Sequence, residues 1–259
     1  MVAQWGDSMG RLNGKVAVVT GGAKGLGVFY VSALAREGAT VVLADIVPPT
    51  TDNRAEFGQD RIVERLLDVS DEPAVKAFVE QVESSIGPID ILVNNAALFS
   101  SLDATDVDQI ESDLWNAVMA VNIRGPFLMV KHVAPSMKAR RCGKIINISS
   151  GVAYKGMSRM VHYATSKGAI LSFTRSLARE LGAYDICVNT LAPGLIMSDS
   201  ISANSQHIDD FREPVIASRS IKRDGYPQDL VGALIFLASS ESDFITGQTI
   251  AIDGGSVNT

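Results

Sequence analysis

Short, valine-rich apolar runs recur along this chain, and a helical stretch follows almost every one. The runs are KVAVVT (15–20), TVVLAD (40–45), RIVERLLDV (61–69), IDILVNN (89–95), GKIINISS (143–150), DICVNTLAPG (185–194) and QTIAIDGG (248–255). They are too short for buried helices and too continuously apolar for strands with one wet face, so they read as strands buried on both sides. Between them lie amphipathic segments at Gly25–Glu37, Asp71–Ile86, Asp108–Lys138, around Tyr163, and at Pro227–Ser239. A bend is expected near Gly125-Pro126. This alternation predicts an α/β fold with a doubly wound parallel sheet of about seven strands and helices on both faces. No repeat, low-complexity tract or linker divides the 259 residues, so they read as a single domain, 1–259.

Composition narrows the functions. Hydrophobic residues make up 46% and net charge is −6, with acids and bases interleaved. That excludes an extended basic footprint for nucleic acid. No apolar run approaches the roughly 20 residues of a membrane span, and the start lacks a signal-peptide pattern, so a cytoplasmic protein is expected. Residues 1–10 read as a flexible extension. Cys142 and Cys187 lie far apart and read as unpaired thiols. His132, His162 and His207 are scattered, and no cluster has metal-ligand spacing, so no metal is expected. No G-x-S-x-G nucleophile elbow is present.

The turn TGGAKGLG (20–27) follows the first strand and opens the first helix. Gly21, Gly25 and Gly27 permit positive φ or close backbone approach, and the helix N-terminus at Leu26 offers N–H groups to a pyrophosphate. The spacing is G-x-x-x-G-x-G. Asp45 ends the second strand 18 residues after Gly27, where a carboxylate meets an adenosine ribose and repels a 2′-phosphate. That favours NAD over NADP, while Lys24 in the turn argues mildly the other way. Asp68-Val69 ends the third strand, and Asn95-Ala96-Ala97 the fourth. Tyr163 and Lys167 lie four residues apart on one helical face. An ammonium beside a phenol is expected to lower its pKa from about 10 towards neutrality, which equips it for proton exchange.

In order, TGGAKGLG, Asp45, Asp68-Val69, NNAA, Asn122, Ser150, YATSK, LAPG and ITGQTIAIDGG make the chain resemble a short-chain dehydrogenase/reductase from Leu12 to Gly255. The resemblance implies a Rossmann-type fold and a tetrad of Asn122, Ser150, Tyr163 and Lys167. Tyr163 would be the acid/base and Lys167 would also bind the nicotinamide ribose. Ser150 would stabilise charge on the reacting oxygen, and Asn122 would hold a water linking Lys167 to solvent. Ser150, 13 residues before Tyr163, fits the family spacing better than Ser149. The resemblance also places Ile46, Pro193, Gly194, Ile196 and Ser198 against the cofactor. The chain departs from the family at Ala97, where glycine is usual, and at Ser198, where threonine is common.

Leu98, Phe99, Ser150, Val152, Tyr154, Met157, Tyr163 and Leu195 are the expected substrate contacts. They are mostly apolar, which points to a neutral, hydrophobic, aromatic or cyclic alcohol or ketone. The polar stretch 195–223 is expected to form a substrate-binding lid. Two other readings stand: an NADPH-dependent carbonyl or ketoacyl reductase, and a catalytically silent dinucleotide-binding sensor or scaffold. The resemblance further implies a homotetramer. The helices at 108–138 and 160–183 would pair with their copies, using a surplus of apolar residues such as Trp115, Val118, Phe127 and Phe173.

Overall fold

The structure, a computed structural model, describes residues 10–49, 54–57, 60–199 and 205–257. Its strands are β1 (Val16–Thr20), β2 (Thr40–Asp45), β3 (Ile62–Leu66), β4 (Ile91–Asn94), β5 (Gly143–Ile148), β6 (Ile186–Pro193) and β7 (Thr249–Ile252). All pair in parallel, in the order β3-β2-β1-β4-β5-β6-β7. The chain builds outward from β1 to β3 and then returns to start again at β4. The order therefore reverses between β1 and β4, and such switch points open a ligand crevice at the carboxyl ends of the strands.

Helices α1 (Leu26–Arg36), α2 (Arg54–Phe57), α3 (Glu72–Ser85), α4 (Ser112–Met119), α5 (Gly125–Arg140), α6 (Val152–Lys155), α7 (Val161–Leu181), α8 (Ser205–Ser218) and α9 (Gln228–Ala238) complete the described elements. Two apolar layers sandwich the sheet. One packs Tyr30 and Leu34 of α1 with Leu230 and Leu234 of α9. The other packs Phe78 of α3, Met129 and Met137 of α5, and Leu181 of α7. Burial on both faces explains why β1, β2 and β4 are apolar over consecutive positions rather than alternate ones. Helix α3 begins as its sequence dictates. The Asp71 carboxylate accepts from the N–H of Ala74 at 3.2 Å, and Pro73 sits in the first turn, where an N–H has no partner to lose.

The long helix expected over 108–138 is three pieces. A π-helical turn at Ala120–Arg124 joins α4 to α5, so the bend falls just before Gly125-Pro126. Pro126 enters the first turn of α5 without cost. The expected apolar surplus on these helices is mostly absorbed inside the fold. Val118 and Leu171 are buried, while Phe173 and Leu177 pack on the core. Phe127 alone of that set is about half exposed, at 48%. The extension at 1–9 and residues 200–204 of the expected lid lie outside the described residues.

A Cβ on Gly27 would overlap the Gly21 carbonyl oxygen and reach 2.8 Å from Gly22 Cα. Gly232, in the exposed middle of α9, has nothing within 4 Å of an added Cβ. Gly27→Ala should therefore cost about 1–3 kcal/mol by overpacking. Gly232→Ala should gain about 0.5–1 kcal/mol from helix propensity. Chemical denaturation of both variants checks this; an unchanged midpoint for Gly27→Ala would refute the close-approach argument.

Candidate active site

A cleft of about 520 Å³ lies over the carboxyl ends of the strands, where the order reverses. One half is built around the glycine turn. Gly21 (φ +64°) and Gly25 (φ +56°) adopt backbone that only glycine takes without strain. A Cβ on Gly21 would stand 2.7 Å from Ala96 Cα, so the turn and the end of β4 touch backbone to backbone. Asn95 holds that contact: its Nδ2 donates to the carbonyls of Thr20 (3.0 Å) and Gly21 (2.8 Å). Thr20 Oγ1 accepts in return from the N–H groups of Asn95 and Ala96, both at 3.1 Å. Asn95, Ala96 and Ala97 form the adjoining wall.

Helix α1 starts beside this turn with no side-chain cap and no acid in its first turn. Its leading N–H groups and dipole are therefore available to an anion, and Gly25 and Leu26 line the cleft there. Gly27 does not line it; its role is the close packing described above. Asp45 is buried at the end of β2. Its oxygens accept from the N–H of Ala23 (3.0 Å) and of Val47 (3.3 Å), which fixes the carboxylate while each oxygen keeps a further lone pair. Lys24 and Ile46 are exposed at the rim. Asp68 is turned by Ser70, accepting from its N–H (2.8 Å) and hydroxyl (2.7 Å). Asp68, Val69 and Leu67 close the far end. An uncapped helix terminus, a fixed carboxylate and a long cleft fit a dinucleotide.

Ser150, Tyr163 and Lys167 meet on the opposite wall with Pro193, Gly194, Leu195, Ile196 and Ser198. The Ser150 hydroxyl donates to the Pro193 carbonyl at 3.4 Å and lies near enough to the Tyr163 phenol to act on its acidity. Lys167 Nζ donates to the Ile148 carbonyl at 2.9 Å and lies 5.6 Å from the Tyr163 ring centre. The neighbouring Ser149 also lines the cleft, but its hydroxyl donates to the Lys167 carbonyl at 2.7 Å, which leaves Ser150 as the serine of this pair beside the Tyr163 phenol. Burial dominates the electrostatics. It pushes the Tyr163 phenol well above its ordinary value, with the nearby Ser150 hydroxyl pulling the other way. Burial also brings the Lys167 ammonium down to about 8. This corrects the expectation of a near-neutral phenol: both groups are enclosed, so desolvation disfavours phenolate and ammonium alike.

One further reading is corrected, at Tyr154. Asn122 is buried in the π turn, and its side chain is engaged by protein groups. Its Oδ1 accepts from the N–H of Leu98 (2.8 Å), and its Nδ2 donates to the Leu98 carbonyl (3.2 Å) and Ser166 Oγ (3.0 Å). It clamps the loop after β4 to α7. Tyr154 is absent from the cleft wall and lines a separate hollow with Arg175, Arg179 and Gln248. Val152 does line the cleft, and two residues further along a helical turn is a rotation of about 200°, so Tyr154 points away. Leu98, Phe99, Met157 and Leu195 are placed as expected.

Sequence reasoning missed Ser100, Ser101, Val121 and Val215, which also face the cleft. It also missed the bracing of the loop after β6. Asp253 accepts from the N–H groups of Gly255 (3.0 Å), Ser256 (3.0 Å) and Val257 (2.9 Å), and a Cβ on Gly194 would stand 2.7 Å from its Cβ. Arg219 donates to the Leu195 carbonyl at 2.6 Å. The Asp-Gly-Gly after β7 was the only signal. Among the described residues, no group of three His, Cys, Asp or Glu side chains could hold a metal.

This fold and site define a dinucleotide-binding oxidoreductase, and comparison with known proteins agrees. A family model described as enoyl-(acyl carrier protein) reductase matches residues 21–257. The chain is 38% identical over 253 residues to 3-oxoacyl-(acyl-carrier-protein) reductase FabG of Thermotoga maritima, covering 95% of this chain and 99% of that protein. It is 38% identical over 255 residues to galactitol 2-dehydrogenase of Agrobacterium fabrum, covering 95% and 98%. A gluconate 5-dehydrogenase from Burkholderia cenocepacia, solved with NADP and tartrate, superposes with a TM-score of 0.87 at 34% identity, covering 95% of this chain and 96% of that one. The chain belongs to the short-chain dehydrogenase/reductase family.

The buried lysine makes stability depend on pH in a defined direction. Its folded pKa is brought from the ordinary 10.5 down to about 8. Between those values the unfolded chain binds more protons, so this group's contribution to stability rises as pH climbs through that window. Lys167→Met removes the titration. Its stability advantage over the wild type should narrow between pH 7.5 and 9.5, measured by urea denaturation; a constant difference would count against a desolvated ammonium.

Proposed function

We propose that this chain is an NAD-dependent oxidoreductase that interconverts a secondary alcohol and its ketone, with a neutral, hydrophobic substrate. The meeting of Ser150, Tyr163 and Lys167 on one wall of the cleft carries the reading. When bound, the nicotinamide supplies or accepts the hydride. Ser150 donates a hydrogen bond to the reacting oxygen and stabilises its charge. Tyr163 exchanges a proton with that oxygen. Lys167, enclosed beside the phenol, supports its ionised form and binds the ribose. Asn122 acts as a positioning residue through Leu98 and Ser166. Residues 195–223 serve as a lid over substrate, and the single-domain protomers assemble as a homotetramer in the cytoplasm.

The buried Asp45 supports NAD, since a 2′-phosphate would meet a fixed carboxylate. The alternative is an NADPH-dependent carbonyl or ketoacyl reductase. Lys24 at the cleft rim favours it, as do the named activity of the Thermotoga relative and the NADP in the Burkholderia structure. A screen of alcohols and ketones with both cofactors, read by nicotinamide absorbance, separates the two. A silent sensor would bind dinucleotide and turn over nothing.

NAD(H) should be used with higher catalytic efficiency than NADP(H), and Asp45→Ala should erode that preference. Equal efficiencies in the wild type would sink the NAD assignment. Tyr163→Phe should lower kcat at least about 100-fold while dinucleotide binding persists. Because burial raises the phenol's pKa, oxidation should still be gaining rate with pH in the alkaline range. A fully active Tyr163→Phe enzyme would refute the mechanism.

A further inference from the structure

The ring of Phe99 stacks on the ring of Tyr163, with centroids 4.4 Å apart and planes inclined by 25°. Phe99 follows Leu98, whose N–H and carbonyl are both held by Asn122, and the Phe99 carbonyl itself accepts from the N–H of Leu102 at 2.9 Å. It packs in a small apolar cluster with Leu98, Val152, Met157 and Met160, apart from the two layers that flank the sheet. Leu98, Phe99, Val152 and Met157 of this cluster line the substrate half of the cleft, together with the hydroxyl-bearing Ser100, Ser101, Ser150 and Tyr163. Among the described lining residues, the charged groups other than Lys167 are Lys24, Asp45 and Asp68, all at the dinucleotide half.

We propose that Phe99 determines substrate class: stacked on Tyr163, it gives the reacting centre a flat apolar wall that accepts cyclic or aromatic carbinols and disfavours polyhydroxylated chains. This rests on the oxidoreductase reading above. A flat aliphatic or aromatic ring covers the Phe99 face and loses water at both surfaces. A sugar alcohol or sugar acid would lay hydroxyls or a carboxylate on the Phe99 face, which offers them no partner, and would bring more polar groups than the nearby hydroxyls of Ser100, Ser101 and Ser150 can pair. That distinguishes this chain from the activities named for its galactitol and gluconate relatives. Apolar walls reject a single added hydroxyl by only about 100-fold, so several hydroxyls are needed for near-complete exclusion.

The test measures cyclohexanol, 2-butanol and galactitol oxidation with each cofactor, in the wild type, Phe99→Ala and Phe99→Leu. Thermal melts confirm folding of each variant. The wild type should favour cyclohexanol over galactitol by at least about 100-fold in kcat/KM. Phe99→Ala should raise KM for cyclohexanol about 10-fold or more and raise that for 2-butanol, too small to span the wall, by a smaller factor. Phe99→Leu should recover part of the cyclohexanol affinity. Saturation-transfer NMR of cyclohexanone with the NAD-bound protein reads the same wall without turnover, and its signal should weaken in Phe99→Ala.

An equal fall in kcat on every substrate would overturn the proposal, because Phe99 would then merely hold Tyr163. An unchanged cyclohexanol KM and cyclohexanone signal would also overturn it, as would wild-type preference for galactitol. Absence of wild-type turnover with any alcohol or ketone, alongside cyclohexanone binding that depends on Phe99, would defeat the oxidoreductase reading and leave the wall standing.

Discussion

The site depends on one backbone contact, between the glycine turn after β1 and the end of β4. With Gly21 lying against Ala96, the two sheet halves meet at their carboxyl ends. Asn95 and Thr20 pin that contact with hydrogen bonds in both directions, across 75 residues of sequence. A side chain at Gly21 would push the strand ends apart and displace the N-terminus of α1. The same contact puts Asp45 under the turn, since its carboxylate accepts from Ala23. The placement of the α1 N-terminus and of the Asp45 carboxylate beside the cleft thus follows from packing glycine on backbone.

Burial shapes the chemistry on the opposite wall. A hydrogen-bonded chain runs through the protein beneath it. Asn94 donates to Asn147 at 2.8 Å, Asn147 to Thr174 at 2.8 Å, and Thr190 to Thr174 at 2.7 Å, tying β4, β5, β6 and α7 together. Every residue of this chain is buried and makes at least one of these bonds, with Asn94 Oδ1 the atom left without a partner. Helix α7 is therefore held rigidly against the sheet. Tyr163 and Lys167 ride on it, and their perturbed acidities follow from that enclosure.

The substrate half has different support. Its loops come from after β4, β5 and β6, and the ties that hold them include Asn122 to Leu98, Ser149 to Lys167, and Arg219 to Leu195. Side chains between these ties, such as Phe99, Val152 and Met157, fill the space and are free to differ without disturbing the fold. Hydride chemistry and substrate choice are thereby placed on separate supports, which is how one scaffold carries many specificities.

The sequence by itself determined the strand alternation, the glycine turn, Asp45 and the shared face of Tyr163 and Lys167. Each is a local pattern, set by strand burial, by φ, or by helical pitch. Tertiary structure decided what local spacing cannot encode. Phe99 stands 64 residues before the tyrosine it stacks on, and no periodicity links them. Tyr154 lay in a promising stretch, yet one short helical turn directs it to another hollow. Asn122 matched its motif, while the partners of its side chain, Leu98 and Ser166, lie on segments that no local spacing links to it. The acidity of Tyr163 moved opposite to the expectation from its neighbour. Adjacency along a helix fixes which charges are close, whereas desolvation depends on how completely the rest of the chain encloses them.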